Sequence, residues 1–478
     1  MIKKAIKIKA GLEIHQQLDT GKLFCRCPSI LRKDEPDWVV NRKLHAVPGE
    51  EGEVDIAAQH EALQNKEFEY QGYKDSCCLV EYDEQPPLEI DQDALHVAIQ
   101  IALLLNCEIL PATQIMRKTV LDGSNTSGFQ RTVLIARNGF IETSKGKVGI
   151  ESLLLEEDAA RIVERLENKM IFRLDRLGIP LVEVATAPDL KDAEHIKESA
   201  LKLGEILRAA KVKRGLGTIR QDLNISTENH PRVEIKGFQN PKMMIKTVEL
   251  EAERQVKQST QKGISKNGKS EVRRAKSDGT TEFLRPMPGS ARMYPETDLP
   301  LLRISKQMID KAKKELPKLK KEVEEELKAK GLTDEMITQL LGSRKINEFD
   351  NLVRIYNKPN FVAKALLIFP KEIASKKNFS ADKILSLDVI ETLIRKVADK
   401  KLSEGDFKKV MEKIAEGEDI EKALKVEKVD VRHVEAKIAE IVKSKPGLSI
   451  GGYMGLVMNE FKGKVDGSQV MSILNKLI

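Results

Sequence analysis

Apolar and polar positions alternate almost from the start of the chain. In IKIKAGLEIH, Ile6, Ile8, Ala10, Leu12 and Ile14 alternate with Lys7, Lys9, Gly11, Glu13 and His15. This is the period-two pattern of a strand with one apolar and one polar face. Side chains at i and i+2 of a strand point the same way, so Glu13 and His15 share the polar face and could converge on one cation. The plainer reading is a solvated strand end carrying two unrelated polar residues. Further along, FIETSKGKVGIESLLLEED, RLGIPLVEVATAPD and GTIRQDLNISTENHPRVEIKGF are short alternating or apolar runs divided by Gly, Asn, Asp and Pro. They predict a β-rich region, with helices over DALHVAIQIALLLN and AEHIKESALKLGEILRAAKV.

Past residue 300 the strand signals fade and helices follow one another. GLTDEMITQLL starts with Thr333 as an N-cap, and LSEGDFKKVMEKIAEG does the same with Ser403. The charge-dense KQMIDKAKKELPKLKKEVEEELKAKG reads as one solvated helix laced with i,i+4 pairs. KSKPG at 443–447 reads as a linker before a small tail unit, and no internal repeat is visible. The expected class is therefore α+β. A β-rich domain over 1–300 is followed by an all-α helical domain over 301–442 and a tail over 443–478.

Composition narrows the setting. A hydrophobic fraction of 41% and a charged fraction of 32% fit a soluble globular protein, and the net charge of +7 permits a nucleic-acid partner without requiring one. Neither a run of about 20 apolar residues nor a signal-peptide core is present, so no membrane role is expected. The five cysteines are odd in number and clustered, which favours a reducing compartment, the cytoplasm, over a disulfide framework.

Several stretches carry candidate chemistry. GISKNGKS at 263–270 matches the phosphate-loop spacing, but such a loop needs a core strand before it and a helix after it, and the polar flanks predict neither. It reads as a surface linker. SLLLEEDAA sets Glu156, Glu157 and Asp158 after a run of leucines, and IPLVEVA places Glu183 inside an apolar strand. A buried carboxylate is costly unless it meets a cation, so Glu183 implies either an ion pair or a metal. The hairpin TIRQDLNIS…PRVEIKGF aligns Arg220, Asp222 and Asn224 beside Arg232, Glu234 and Lys236, as a polar pocket or as cross-strand pairs on a wet surface. FCRC and SCC could offer three or four thiolates to Zn²⁺, the alternative being free, partly buried thiols. His45, His60, His96, His195, His230 and His433 have no partner spacing and read as ordinary residues.

Six motifs together carry a resemblance. GLEIHQQLDT, DGSNTSGFQRT, LLEEDAAR, RLDRLGIPLVEVATAPD, KVKRGLGTIRQDLNIS and RPMPGSARMYPETDLP occur in the order found in the GatB/GatE family. DGSNTSGFQRT and KRGLGTIRQD are nearer its archaeal E-type branch than its bacterial B-type branch. The resemblance implies a cradle-shaped catalytic domain, a helical domain and a YqeY-like tail, which GGYMGLVMNEFKGKVDGSQVMSILNKLI resembles. It further implies ATP-dependent conversion of Glu-tRNA(Gln) to Gln-tRNA(Gln) through a γ-glutamyl phosphate that ammonia displaces. Carried onto matching positions, the metal ligands are Glu13, His15, Glu157 and Glu183 for Mg²⁺, with Mn²⁺ open because of the imidazole. Arg220, Asp222, Asn224, Glu234 and Lys236 are candidates for contacts to ATP or the aminoacyl end.

The chain holds no amidase-like Ser-rich motif and no glutaminase motif around its cysteines. The resemblance therefore implies an asparaginase-like D-type partner (GatD) as ammonia source, in a heterotetramer of two D and two E subunits. Two departures stand out. The archaeal branch usually inserts a domain similar to one in aspartyl-tRNA synthetases, where this chain has only the polar stretch around QSTQKGISKNGKS. Some B-type relatives have C-x-C followed by C-x-x-C; here Cys77 and Cys78 are adjacent and Asp75 holds the place of the missing cysteine, leaving Cys25, Cys27 and Cys78 as the candidate Zn²⁺ ligands. The tail, with Lys462, Lys464 and a turn expected at Gly451–Gly452, reads as a tRNA-contacting unit. The competing readings are a bacterial-type Asp/Glu-tRNA amidotransferase of the B type and a non-catalytic tRNA-binding protein.

Overall fold

The computed structural model describes residues 6–43, 66–120, 122–260, 270–287, 293–343, 345–377, 385–424, 431–461 and 467–477. The chain is mixed α and β, dividing into compact units at Met1–Lys320 and Lys321–Ile478.

The first unit is built on an 11-stranded sheet. Its alternating first strand, Ile8–Gln17, lies between Pro180–Thr186 and Ile219–Thr227 and runs antiparallel to both. Beyond Pro180–Thr186 comes the long hairpin Phe129–Thr143 and Gly146–Glu157, and beyond Ile219–Thr227 comes Val233–Lys236. One face of these strands is core. Ala10, Leu12, Ile14, Leu153, Leu155, Val182, Val184, Leu223, Ile225, Val233 and Ile235 are buried in one cluster, covered by apolar residues of the helices Gln92–Leu104 and Ala193–Ala209. The period of two then sends Glu13, His15, Glu156, Glu183, Arg220, Asp222, Glu234 and Lys236 to the other face. A separate four-stranded sheet holds an aromatic cluster of Phe68, Tyr70, Tyr73, Tyr82 and Phe172.

Several expectations change. The single charged helix is two, Lys306–Lys314 and Lys320–Ala329, because Pro317 lacks the N–H that a helix interior requires. The earlier piece belongs to the first unit: Ala312 joins its core and Glu315 lies 3.0 Å from His96. The 263–269 part of GISKNGKS lies outside the described residues, but its flanks do not. The chain enters from the helix Pro241–Thr260 and leaves into the strand Glu271–Ala275, the reverse of a phosphate loop's order.

The second unit is helical among the described residues. Thr333 and Ser403 cap as expected, accepting from the N–H groups of Met336 and Asp406. Leu340, Phe349, Val362, Leu393, Phe407 and Met411 are among its core residues. Val434, Ile438, Tyr453, Val457, Val470 and Leu474 form a further small core from the helices Val431–Ser444, Ile450–Glu460 and Gly467–Leu477. Gly451 and Gly452 lie inside a helix whose N-cap is Ser449, so the expected turn is absent there. Lys462 and Lys464 lie outside the described residues.

Candidate active site

The polar faces of the central strands floor a cleft of about 600 Å³. Strand register sets its centre: His15 lies opposite Glu183 on one side and Arg220 on the other, and Glu13 lies opposite Asp222. The His15 Nε2 is 3.1 Å from Glu183 Oε2, 3.6 Å from Glu13 Oε1 and 3.9 Å from Glu156 Oε2. Glu13, His15 and Glu183 each offer a ligand atom within 4.8 Å of the others.

The electrostatics of this cluster fit a divalent cation. Burial and the facing Glu183 carboxylate push Glu13 up to about 7. Burial also opposes ionisation of Glu183, but the His15 hydrogen bond and the Lys118 charge outweigh it and hold the group at about 2. Burial disfavours the charged form of His15, yet Glu183 raises its affinity for a proton. Acids compete here for too little positive charge, a deficit that a hard ion bound by two carboxylates and one imidazole would relieve.

The rim supplies cations and hydrogen-bond donors. Lys118 is 3.1 Å from Glu156 and 3.8 Å from Glu183. Lys236 reaches Asp222 at 3.0 Å and Glu234 at 2.7 Å, and Arg220 reaches Asp158 at 3.0 Å. Arg285, Gln130 and Asn125 also line the cleft. Of the hairpin candidates, Arg220, Asp222, Glu234 and Lys236 line the cleft. Asn224 does not: it lies opposite Gly11 and lines a neighbouring depression of about 400 Å³ with Lys9, Ser226 and Arg232, which meets the cleft at Glu13.

Glu157 requires a correction. It shares the core-facing parity of Leu153 and Leu155, accepts from the Arg131 backbone at 3.2 Å, and lies 3.5 Å from the Arg131 guanidinium. Glu156 is the acid that faces the cleft, accepting from Thr132, Lys118 and Gln130 at 2.8, 3.1 and 3.2 Å. Three consecutive leucines hide the parity, since any of them could face the core. Lys118 joins the site without any local sequence signal, and Gln130 and Arg285 stand in two of the six motifs but on strands with no pattern that points to convergence.

The sequence model of the GatB/GatE catalytic domain matches residues 8–310, which contain every residue of this cleft. The chain belongs to the GatB/GatE family. It is 36% identical to a Methanocaldococcus jannaschii protein named as the E subunit of glutamyl-tRNA(Gln) amidotransferase, over 98% of both chains. Proteins of the same name from Methanococcus maripaludis and Sulfurisphaera tokodaii are each 31% identical, again over 98% of both chains. The alignment to the first spans 621 positions, so this chain of 478 residues leaves more than a hundred of them without a counterpart.

This GatB/GatE member has a second cluster. Cys25, Cys27 and Cys78 come together with Glu81, their ligand atoms within 4.8 Å of one another. Hydrogen bonds from the Cys25 and Cys27 thiols hold Cys78 well below its ordinary range. The hydrogen bond with Cys25 pulls Cys27 down, but the one with Cys78 and burial together raise it to about 12. Three sulfurs and a carboxylate with one thiolate already favoured are a Zn²⁺-type donor set. Nothing in the local sequence marks Glu81 as a member. Cys77 instead joins the aromatic cluster, and Asp75 pairs with Arg32. Lys22, fully buried, lies 2.9 Å from Glu81 and donates to the Leu174 carbonyl at 3.1 Å. Among the described residues, no helix is long and apolar enough to cross a membrane.

Proposed function

We propose that this chain is the component of a glutamyl-tRNA(Gln) amidotransferase that activates and amidates the glutamyl group of Glu-tRNA(Gln). Near-full-length similarity to relatives named as that enzyme's E subunit carries the reading. It favours the E-type enzyme over the bacterial B-type one. The acid–imidazole cluster beside a cationic rim favours catalysis over passive tRNA binding.

In this reading the cleft takes ATP and the aminoacyl end together. Glu13, His15 and Glu183 would hold Mg²⁺ or Mn²⁺, with Glu156 beside them. When bound, the ion neutralises phosphate charge. The chain's own Arg220, Lys236, Lys118 and Arg285 orient the phosphates. The glutamyl carboxylate oxygen attacks the γ-phosphorus and the bond to ADP breaks, leaving an acyl phosphate. Ammonia then attacks the carbonyl carbon and phosphate leaves, giving the amide.

Ammonia comes from an asparaginase-like D-type partner, with two D and two E subunits in the assembly, acting in the cytoplasm. The first unit acts as the cradle, the helices of the second as a support for tRNA, and the end as a YqeY-like tail. Zn²⁺ on Cys25, Cys27, Cys78 and Glu81 is structural, tying the loop after the first strand to the segment around Cys78. The testing experiment combines purified chain and partner with ATP, Mg²⁺, glutamine and Glu-tRNA(Gln). Gln-tRNA(Gln) formed only when all are present supports the reading. Glutamine hydrolysis without amidation, at saturating ATP and tRNA, overturns it.

A further inference from the structure

Asp158 is buried to 1% exposure at the edge of the cleft and belongs to neither cation cluster. Its backbone is fixed on both sides, the N–H bonded to the Ile179 carbonyl at 2.7 Å and the carbonyl to Gly178 N–H at 3.0 Å. Its carboxylate accepts from Gln17 Nε2 at 2.6 Å, from Ala159 N–H at 2.9 Å and from Arg220 Nη2 at 3.0 Å. Arg176 is a more distant neighbour at 3.8 Å and directs its own donors to the carbonyls of Ala159 and Ala160.

Arg220 is differently placed. Its side chain is 37% exposed, it lines the cleft, and its backbone lies in register with His15. Asp158 therefore anchors, through Nη2, a guanidinium that lines the cleft holding the acid–imidazole cluster. A planar fork held at one edge presents fixed donors to a tetrahedral anion, and a fixed donor stabilises a charged transition state without reorganising.

We propose that Asp158 is a positioning residue, holding Arg220 as the receptor for the phosphoryl group that passes from ATP to the glutamyl carboxylate. This rests on the function proposed above. Because Arg220 meets the moving group, the loss falls on kcat more than on the KM for ATP.

The test is a double-mutant cycle in the chain–partner complex, with Glu-tRNA(Gln)-dependent ADP formation as readout and glutaminase activity and Tm measured alongside. Asp158→Asn and Arg220→Ala should each lower kcat tenfold or more, and the double variant should be no more than about twofold worse than Arg220→Ala alone. Guanidinium ion added to Arg220→Ala should restore part of the rate, and restore less when Asp158 is also Asn. An Asp158→Asn loss of the same factor in the Arg220→Ala background, or wild-type kcat in Asp158→Asn, overturns the proposal. If Asp158→Asn does not fold, Arg220→Lys decides. It keeps the charge but loses the fork, so it should fall as far as Arg220→Ala, and near-wild-type kcat in it overturns the proposal. A wild-type complex that forms no ADP in response to Glu-tRNA(Gln) refutes the underlying function instead, before any variant is compared.

Discussion

Glu156 and Glu157 are consecutive, yet they face opposite sides of one sheet: Glu156 is 3.9 Å from His15 in the cleft, and Glu157 lies against Arg131 behind it. Their substitutions should therefore part. Glu156→Gln should lower ATP-dependent activation at least tenfold with little loss of stability, because the amide still accepts from Thr132. Glu157→Gln removes the negative charge beside a buried guanidinium that keeps Glu296 at 2.8 Å, so the expected cost is about 1–3 kcal/mol of stability. Urea unfolding of both variants beside the activation assay checks this. Equal kinetic losses in the two would contradict the placement.

Titration of Glu13 makes ion binding depend on pH. In the metal-free chain its folded value of about 7 exceeds the unfolded 4.5, so its stabilising contribution is complete below 4.5 and is lost as pH rises through 7. A divalent ion must displace that proton. Because the proton on the His15 ligand must leave as well, the apparent affinity for Mn²⁺ should weaken at least tenfold per pH unit below that value. Calorimetric titration across this range measures it, and a pH-independent Kd would contradict it.

The cysteine cluster should purify with one zinc ion per chain, measured by atomic absorption. Cys27→Ser should lose most of that zinc and lower Tm, whereas Cys77→Ser, outside the ligand set, should retain it. Equal zinc in both variants would refute the assignment.

For tail deletions the boundary decides the outcome. The small C-terminal core takes Val434 and Ile438 from the helix Val431–Ser444. Removing 447–478 should expose that helix's apolar face and promote aggregation, whereas removing 431–478 should leave a soluble chain. If the tail contacts tRNA, the shorter chain should bind tRNA more weakly and with a shallower salt dependence, while ATP binding persists. Unchanged tRNA affinity would refute that role.

Much of this was legible because a strand's side-chain period is strict. Alternation in IKIKAGLEIH places Glu13 and His15 on one face without any tertiary information, and Glu183 stands out as an acid between apolar neighbours. Parity failed at SLLLEED, where no polar residue marks which leucine faces out. Pairing across sheets and loops was not legible either. Lys118, Asp158 and Glu81 reach their partners from remote segments, and only the folded register brings them together.

The central claim is that Glu183 belongs to the ion site of ATP-dependent activation and is not a structural ion-pair partner. The deciding measurement is Glu-tRNA(Gln)-dependent ADP formation by the Glu183→Gln complex, with glutaminase activity and metal-free Tm recorded on the same preparation. The account predicts that ADP formation per folded molecule is abolished while glutaminase stays near wild type, even though losing the charge contacts with His15 and Lys118 lowers metal-free Tm. Loss of about 3–5 kcal/mol of stability, with activity per folded molecule preserved, would contradict it.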